Sequence, residues 1–273
     1  MTYSTLLVHL DGGHTNQPVL ALAAKMAEKH TAKIIGIAAC QPMQIGSGDG
    51  DWTGALAVLE RDIVVDELRR AETEFRTCAE IQPFVLDWRS FETFSPISQT
   101  VADQARCADI VITGLCSRAS RNALTHADTG DLIVRAGRPV IVVPDTPAPD
   151  SFETVVIAWA DTRECRRAVA DSLPILKLAQ RVVVAEVTPT PAEARSQMRD
   201  VVDWLSRHDI TADHVITDHS RHIARSLHLI AVEHGADLIV AGAYGHNRLR
   251  EWAFGGVTRD LLLHERICAL LSH

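Results

Sequence analysis

Ala108-Asp-Ile-Val-Ile-Thr-Gly114 and Ala236-Asp-Leu-Ile-Val-Ala-Gly242 match almost position for position. Each is a short, continuous apolar run closed by glycine, the composition of a strand buried on both faces. Two further pairs bracket them. Thr5-Leu-Leu-Val-His-Leu-Asp11 corresponds to Thr154-Val-Val-Ile-Ala-Trp-Ala160. Asp131-Leu-Ile-Val-Arg-Ala-Gly-Arg-Pro-Val-Ile-Val-Val143 echoes Asp260-Leu-Leu-Leu-His-Glu-Arg-Ile-Cys-Ala-Leu-Leu-Ser272. An ordered series of matches marks an internal repeat. Thr5 and Thr154 lie 149 residues apart, Asp131 and Asp260 only 129, so the first copy carries about twenty extra residues. The stretch Gly46-Ser-Gly-Asp-Gly-Asp51 and the helical run after it supply them.

The chain of 273 residues therefore divides into two copies of one unit, 1–146 and 151–273, joined by Pro144-Asp-Thr-Pro-Ala-Pro149. In the second copy, strands alternate with amphipathic helices. Thr154–Ala160, Arg181–Val187, His214–Thr217, Asp237–Ala241 and Ile267–Leu271 read as strands. Between them, Arg163–Ala179 reads as a helix, and Ala194, Met198, Val201 and Leu205 recur at helical spacing. Ile223, Leu227, Ile230 and Ala231 line a third helix that stops at Gly235, and Thr258–Glu265 forms a fourth. Such alternation predicts an α/β fold: two tandem open five-stranded parallel sheets with helices on both faces, Rossmann-like, with ligands at the carboxyl ends of the strands.

Composition agrees. Hydrophobic residues make up 47% and aromatics 5%, which calls for an aliphatic core of the parallel α/β kind. A net charge of −8 without a dense basic run argues against a nucleic-acid-binding surface. No signal-peptide pattern opens the chain and no run approaches the about 20 apolar residues of a membrane helix. The six cysteines, scattered without a CxxC pair, read as buried thiols in a reducing compartment. A cytoplasmic, soluble protein is expected.

Chemistry concentrates after the strand Asp237–Ala241, in Gly242-Ala-Tyr-Gly245-His-Asn-Arg-Leu-Arg-Glu-Trp-Ala-Phe-Gly255-Gly256-Val-Thr258. Gly242 and Gly245 let backbone approach a ligand closely. Gly255 and Gly256 precede a helix start, whose free N–H groups and dipole favour phosphate. Thr258 can cap that helix or donate its hydroxyl to a phosphate oxygen. His246, Asn247 and Arg248 add polar contacts. The competing reading is a loop whose glycines only satisfy turns.

This segment resembles the nucleotide-binding loop of the universal stress proteins, G-x2-G-x9-G-[S/T], with three glycines in register and the same Val-Thr-Arg start to the last helix. The resemblance runs through the second copy and more faintly through the first. It implies the adenine nucleotide α-hydrolase-like fold and binding of ATP or AMP, with Mg2+ as a companion. By the same resemblance Gly242, Gly245, Gly255, Gly256, Val257 and Thr258 hold phosphates and ribose, and Val187 lines the adenine pocket. Ala160 and Asp161 complete the site. Two positions depart from the pattern: Gly256 replaces a hydroxyl residue, and Ala160 stands where the family carries an acid, with Asp161 one place later.

The first copy inverts this. Asp11-Gly12 is kept, but the loop reads Gly114-Leu-Cys-Ser117…His126-Ala127-Asp128-Thr129, and Asp128 at a helix start repels phosphate. That copy is expected to bind no triphosphate and to pack against its sister as a pseudo-dimer. The edge strands Pro139–Val143 and Ile267–Leu271 are available for pairing within the chain, between chains as a homodimer, or both.

Other constellations are weaker. Asp218, His219 and His222 have metal-like spacing but lack a completing ligand, so a polar loop is expected. His264 complements a helix dipole. Cys116 and Cys165 lack a neighbouring histidine, and no G-x-S-x-G elbow, Walker A loop or G-x-G-x-x-G occurs. The expected function is regulatory, with slow ATP hydrolysis at most. The alternatives are an interaction module without nucleotide and, last, an enzyme of the nucleotidyl-transfer or hydrolase class.

Overall fold

The computed structural model describes residues 2–12, 16–42, 52–80, 86–115, 124–218, 223–243 and 267–273. Its strands are β1 (Thr5–His9), β2 (Lys33–Cys40), β3 (Leu86–Glu92), β4 (Ile110–Gly114), β5 (Val140–Val143), β6 (Thr154–Trp159), β7 (Arg181–Val187), β8 (Ala212–Thr217), β9 (Leu238–Gly242) and β10 (Cys268–Ser272). The helices are α1 (Gln17–His30), α2 (Trp52–Glu80), α3 (Ile97–Gln104), α4 (Thr129–Arg135), α5 (Arg163–Leu176), α6 (Pro191–Ser206) and α7 (Ile223–His234). The extra length of the first copy falls partly in α2, 29 residues against 16 in α6.

All ten strands form one sheet in the order β3-β2-β1-β4-β5-β10-β9-β6-β7-β8. Each half is parallel and doubly wound, with its first strand between its second and fourth. The halves meet where β5 and β10 pair antiparallel, Ile141 opposite Leu270. Of the pairings the sequence left open, the chain uses the internal one, which removes two apolar sheet edges at once. The strands are buried on both faces, as their unbroken apolar runs predict. Leu6, Val8, Val155 and Ile157 face α1 and α5, while Leu7, Val156 and Ile239 face α3, α4 and α7.

The repeated Ala-Asp dipeptide has a local cause. Asp109 Oδ2 accepts hydrogen bonds from the Ser4 and Thr5 backbone N–H groups at 2.7 and 2.9 Å. Asp237 Oδ2 accepts the same pair, from Glu153 and Thr154, both at 2.9 Å. Each carboxylate thus caps the start of the strand beside its own. Asp237→Ala is expected to cost about 2 kcal/mol in urea unfolding, because two charge-assisted bonds are lost. Asp109→Ala should match it, and the double variant should add the two, as distant sites do.

Side chains also tie the halves together. Arg167 of α5 donates to the Gly137 carbonyl at 2.9 Å and to the His273 carbonyl at 3.0 Å. Tyr3 donates to the Asp171 carbonyl at 2.7 Å, and within the second half Ser272 Oγ donates to the Asp171 carboxylate at 2.9 Å. No helix among the described residues is long and apolar enough to cross a membrane.

Candidate functional site

In each half the connections leave β1 or β6 to opposite sides, which opens a crevice at the carboxyl ends of the strands. In the second half that edge is made by β9, β6 and β7, three adjacent strands. Ala160 and Asp161 follow β6 and are exposed; Val187 ends β7 and Gly242 ends β9, both half-exposed. These four expected site residues stand on one edge. Gly245, His246, Asn247, Arg248, Gly255, Gly256, Val257 and Thr258 lie outside the described residues.

The turn from β6 into α5 is tightly built. The Thr162 N–H donates to the Ala160 carbonyl at 2.6 Å, and Thr162 Oγ1 accepts from the Cys165 N–H at 3.2 Å as the helix cap. Cys165 Sγ donates to the Ala158 carbonyl at 3.4 Å, and burial pushes its thiol up, so it is a packed group and not a nucleophile. The first turn of α5 presses on the end of β9: a Cβ on Gly242 would stand 2.7 Å from the Glu164 carbonyl carbon. Only glycine permits that approach. Behind the edge, burial and the neighbouring Asp161 hold the Glu186 carboxyl above its ordinary range.

The first half carries a polar cluster at the equivalent place. His9 and Thr113 are cross-strand neighbours of β1 and β4, and His9 Nδ1 shares a 2.9 Å hydrogen bond with Thr113 Oγ1. His126 Nδ1 lies 2.9 Å from Asp11 Oδ2. Asn16 clamps the turn, accepting from the Asp11 N–H at 2.9 Å and donating to the Asp11 carbonyl at 3.1 Å. The cleft between these groups encloses only about 20 Å3, room for about one water. Sequence reading did not single out His9, Thr113 or His126. The signal lay in the repeat, where His9 and Thr113 stand against Ala158 and Ala241 in register.

Asp128 caps α4, accepting from the Asp131 N–H at 2.8 Å. Of the suggested chelating group, Asp218 is exposed, and His219 and His222 lie outside the described residues, as do Cys116 and His264. Among the described residues no three His, Cys, Asp or Glu side chains could hold a metal ion.

The fold and its two edges define a tandem doubly wound α/β protein. A universal stress protein from Archaeoglobus fulgidus DSM 4304 has the same fold along its length. It covers 98% of this chain and 95% of its own with a TM-score of 0.71 at 12% identity. A functionally unknown protein from Pseudomonas aeruginosa PAO1 covers 99% and 92%, with a TM-score of 0.62 at 16% identity. No family model matches the sequence, and no match was found among curated proteins. The chain has the universal stress protein fold in its tandem form.

Proposed function

We propose that the second half binds an adenine nucleotide, ATP or AMP, and that the protein is a cytoplasmic regulator of the stress response rather than a catalyst. The units are 1–146 and 151–273, and the nucleotide spans Ala160 and Asp161, Val187 and the loop Gly242–Thr258. One observation carries the reading: Ala160, Asp161, Val187 and Gly242 sit at the carboxyl ends of three adjacent parallel strands, where such sheets take ligands. Gly242 leads directly into the glycine loop, whose backbone N–H groups suit phosphate. Any Mg2+ arrives on the phosphates. The first half takes no triphosphate, since Asp11 and Asp145 line its narrow cleft and, among the described residues, no lysine or arginine does. The free state of the five described cysteines suits a reducing compartment.

Calorimetric titration with ATP, ADP and AMP tests this. Micromolar binding to the wild-type chain, lost in Gly245→Val, is expected. A wild-type chain that binds none of the three overturns the reading.

A further inference from the structure

Equivalent helices cover the same face of the sheet in both halves, but among the described residues the open seam is in the second. In the first half α2 lays Ala71 and Phe75 onto the sheet, both buried. Phe75 packs so closely over β2 that a Cβ on Gly36 would meet its ring at 2.7 Å. In the second half a groove of about 420 Å3 lies between α5 and α6, within the usual range of small-molecule pockets. Trp159, Val169, Val201 and Trp204 make its walls mainly apolar.

Asp161 belongs both to this groove and to the edge proposed for the nucleotide, so the two spaces are continuous. Their junction decides which end of a nucleotide can enter. On the β9 side the first turn of α5 is pressed onto Gly242, where a Cβ would stand 2.7 Å from the Glu164 carbonyl carbon, and that contact leaves no passage. On the β7 side Trp159, a wall of the groove, is the cross-strand neighbour of Glu186, one residue before Val187. Phosphates held at the glycine loop therefore lie on the closed side, and a base held at Val187 lies on the open one. At the mouth Arg166 stands 3.8 Å from Asp161, and Asp200 adds a second exposed acid, so a further anionic group is not favoured there. The apolar walls suit an uncharged group instead. Trp204, half-buried with its ring held against His208 at a centroid distance of 4.4 Å, offers an ordered aromatic surface. Resting on the nucleotide reading, we infer that the site continues into the α5–α6 groove and selects an adenine nucleotide whose base carries an uncharged apolar substituent, seated between Val201 and Trp204.

The probes are AMP and three derivatives that carry a benzyl group, on N6, through sulfur at C2, or through sulfur at C8. Titrated calorimetrically into the full chain, at least one derivative should bind about ten- to a hundredfold more tightly than AMP, the worth of burying one aromatic side group. In the chain labelled with 15N, that derivative should shift the Trp204 indole signal, identified by its loss in Trp204→Phe, while AMP leaves it in place. Val201→Trp fills the groove from a half-buried helix position, and Gln197→Trp does so from an exposed one. Each should retain the AMP affinity of the wild type and lose the preference. AMP binding with no derivative tighter than AMP overturns the inference and leaves the nucleotide reading standing. A preference that survives in both tryptophan variants, or a Trp204 signal that the tighter derivative does not move, also overturns it alone. A chain that binds neither AMP nor any derivative overturns both.

Discussion

Gly242→Ala is expected to destabilise the protein by about 3 kcal/mol, lowering its melting temperature by about 10 °C, whereas Gly114→Ala should change little. The two glycines end equivalent strands of the repeat, and neither needs a positive φ. What differs is the neighbour. A Cβ at Gly242 would fall on backbone: the Cys165 nitrogen, the Glu164 carbonyl carbon and the Cys165 Cα. That backbone cannot easily retreat, because Thr162 caps the turn, Cys165 Sγ donates to the Ala158 carbonyl, and Arg167 fastens the helix to Gly137 and His273. At Gly114 the added carbon meets only the tip of Val19, at 3.3 Å. A side-chain methyl gives way by a few tenths of an ångström, and alanine also lowers the entropy of the unfolded chain by a compensating amount. Thermal unfolding of both variants checks the contrast. Equal losses would mean that the approach of α5 to β9 is not what fixes glycine at 242.

Much of the architecture was legible in the repeat, since a buried parallel strand announces itself as an unbroken apolar run. Arg181–Val187 is a strand with the bounds its composition predicts, and α7 ends at His234, just before Gly235, whose φ of +64° suits glycine. Strand ends moved by a residue or two: β9 extends to Gly242, and β8 begins at Ala212, two residues before the apolar stretch. Those shifts arise because main-chain pairing continues wherever a neighbour offers partners, whatever the side chains. Which edges pair could not be read, since β5 and β10 are equally apolar and would suit an intrachain or an interchain partner. Ala160, Asp161, Val187 and Gly242, singled out by motif position, stand together on one sheet edge. His9, Thr113 and His126 were missed, because a polar residue inside an apolar strand reads as noise until the fold brings it beside another 104 residues away.

His9 turns that missed cluster into a dependence of stability on pH. Its imidazole is buried, and burial lowers its pKa from 6.5 to about 4; Asp11 pulls the other way and His126 reinforces the fall. The neutral ring is the native form. In the unfolded chain the ring takes up a proton near 6.5, so as pH falls the unfolded state gains protons that the native state refuses. The contribution of His9 is therefore complete above pH 6.5 and is lost progressively as pH drops toward 4. A tenfold change in proton affinity is worth about 1.4 kcal/mol, so the loss approaches about 3 kcal/mol. His30 is displaced in the same direction, while the Asp171 and Glu186 carboxyls are raised and oppose it, so the wild-type profile alone is a mixture. The difference between wild type and His9→Ala, Thr113→Ala isolates one ring. That pair is already tested by the fold, since Ala158 and Ala241 stand face to face at the same place in the second half. Urea unfolding from pH 7.5 to 4.5 should show the gap in stability between the two proteins narrowing by about 2–3 kcal/mol toward the acid end. A gap constant across that range would mean that His9 accepts its proton inside the folded sheet, with Thr113 and Asp11 rearranged to receive the charge.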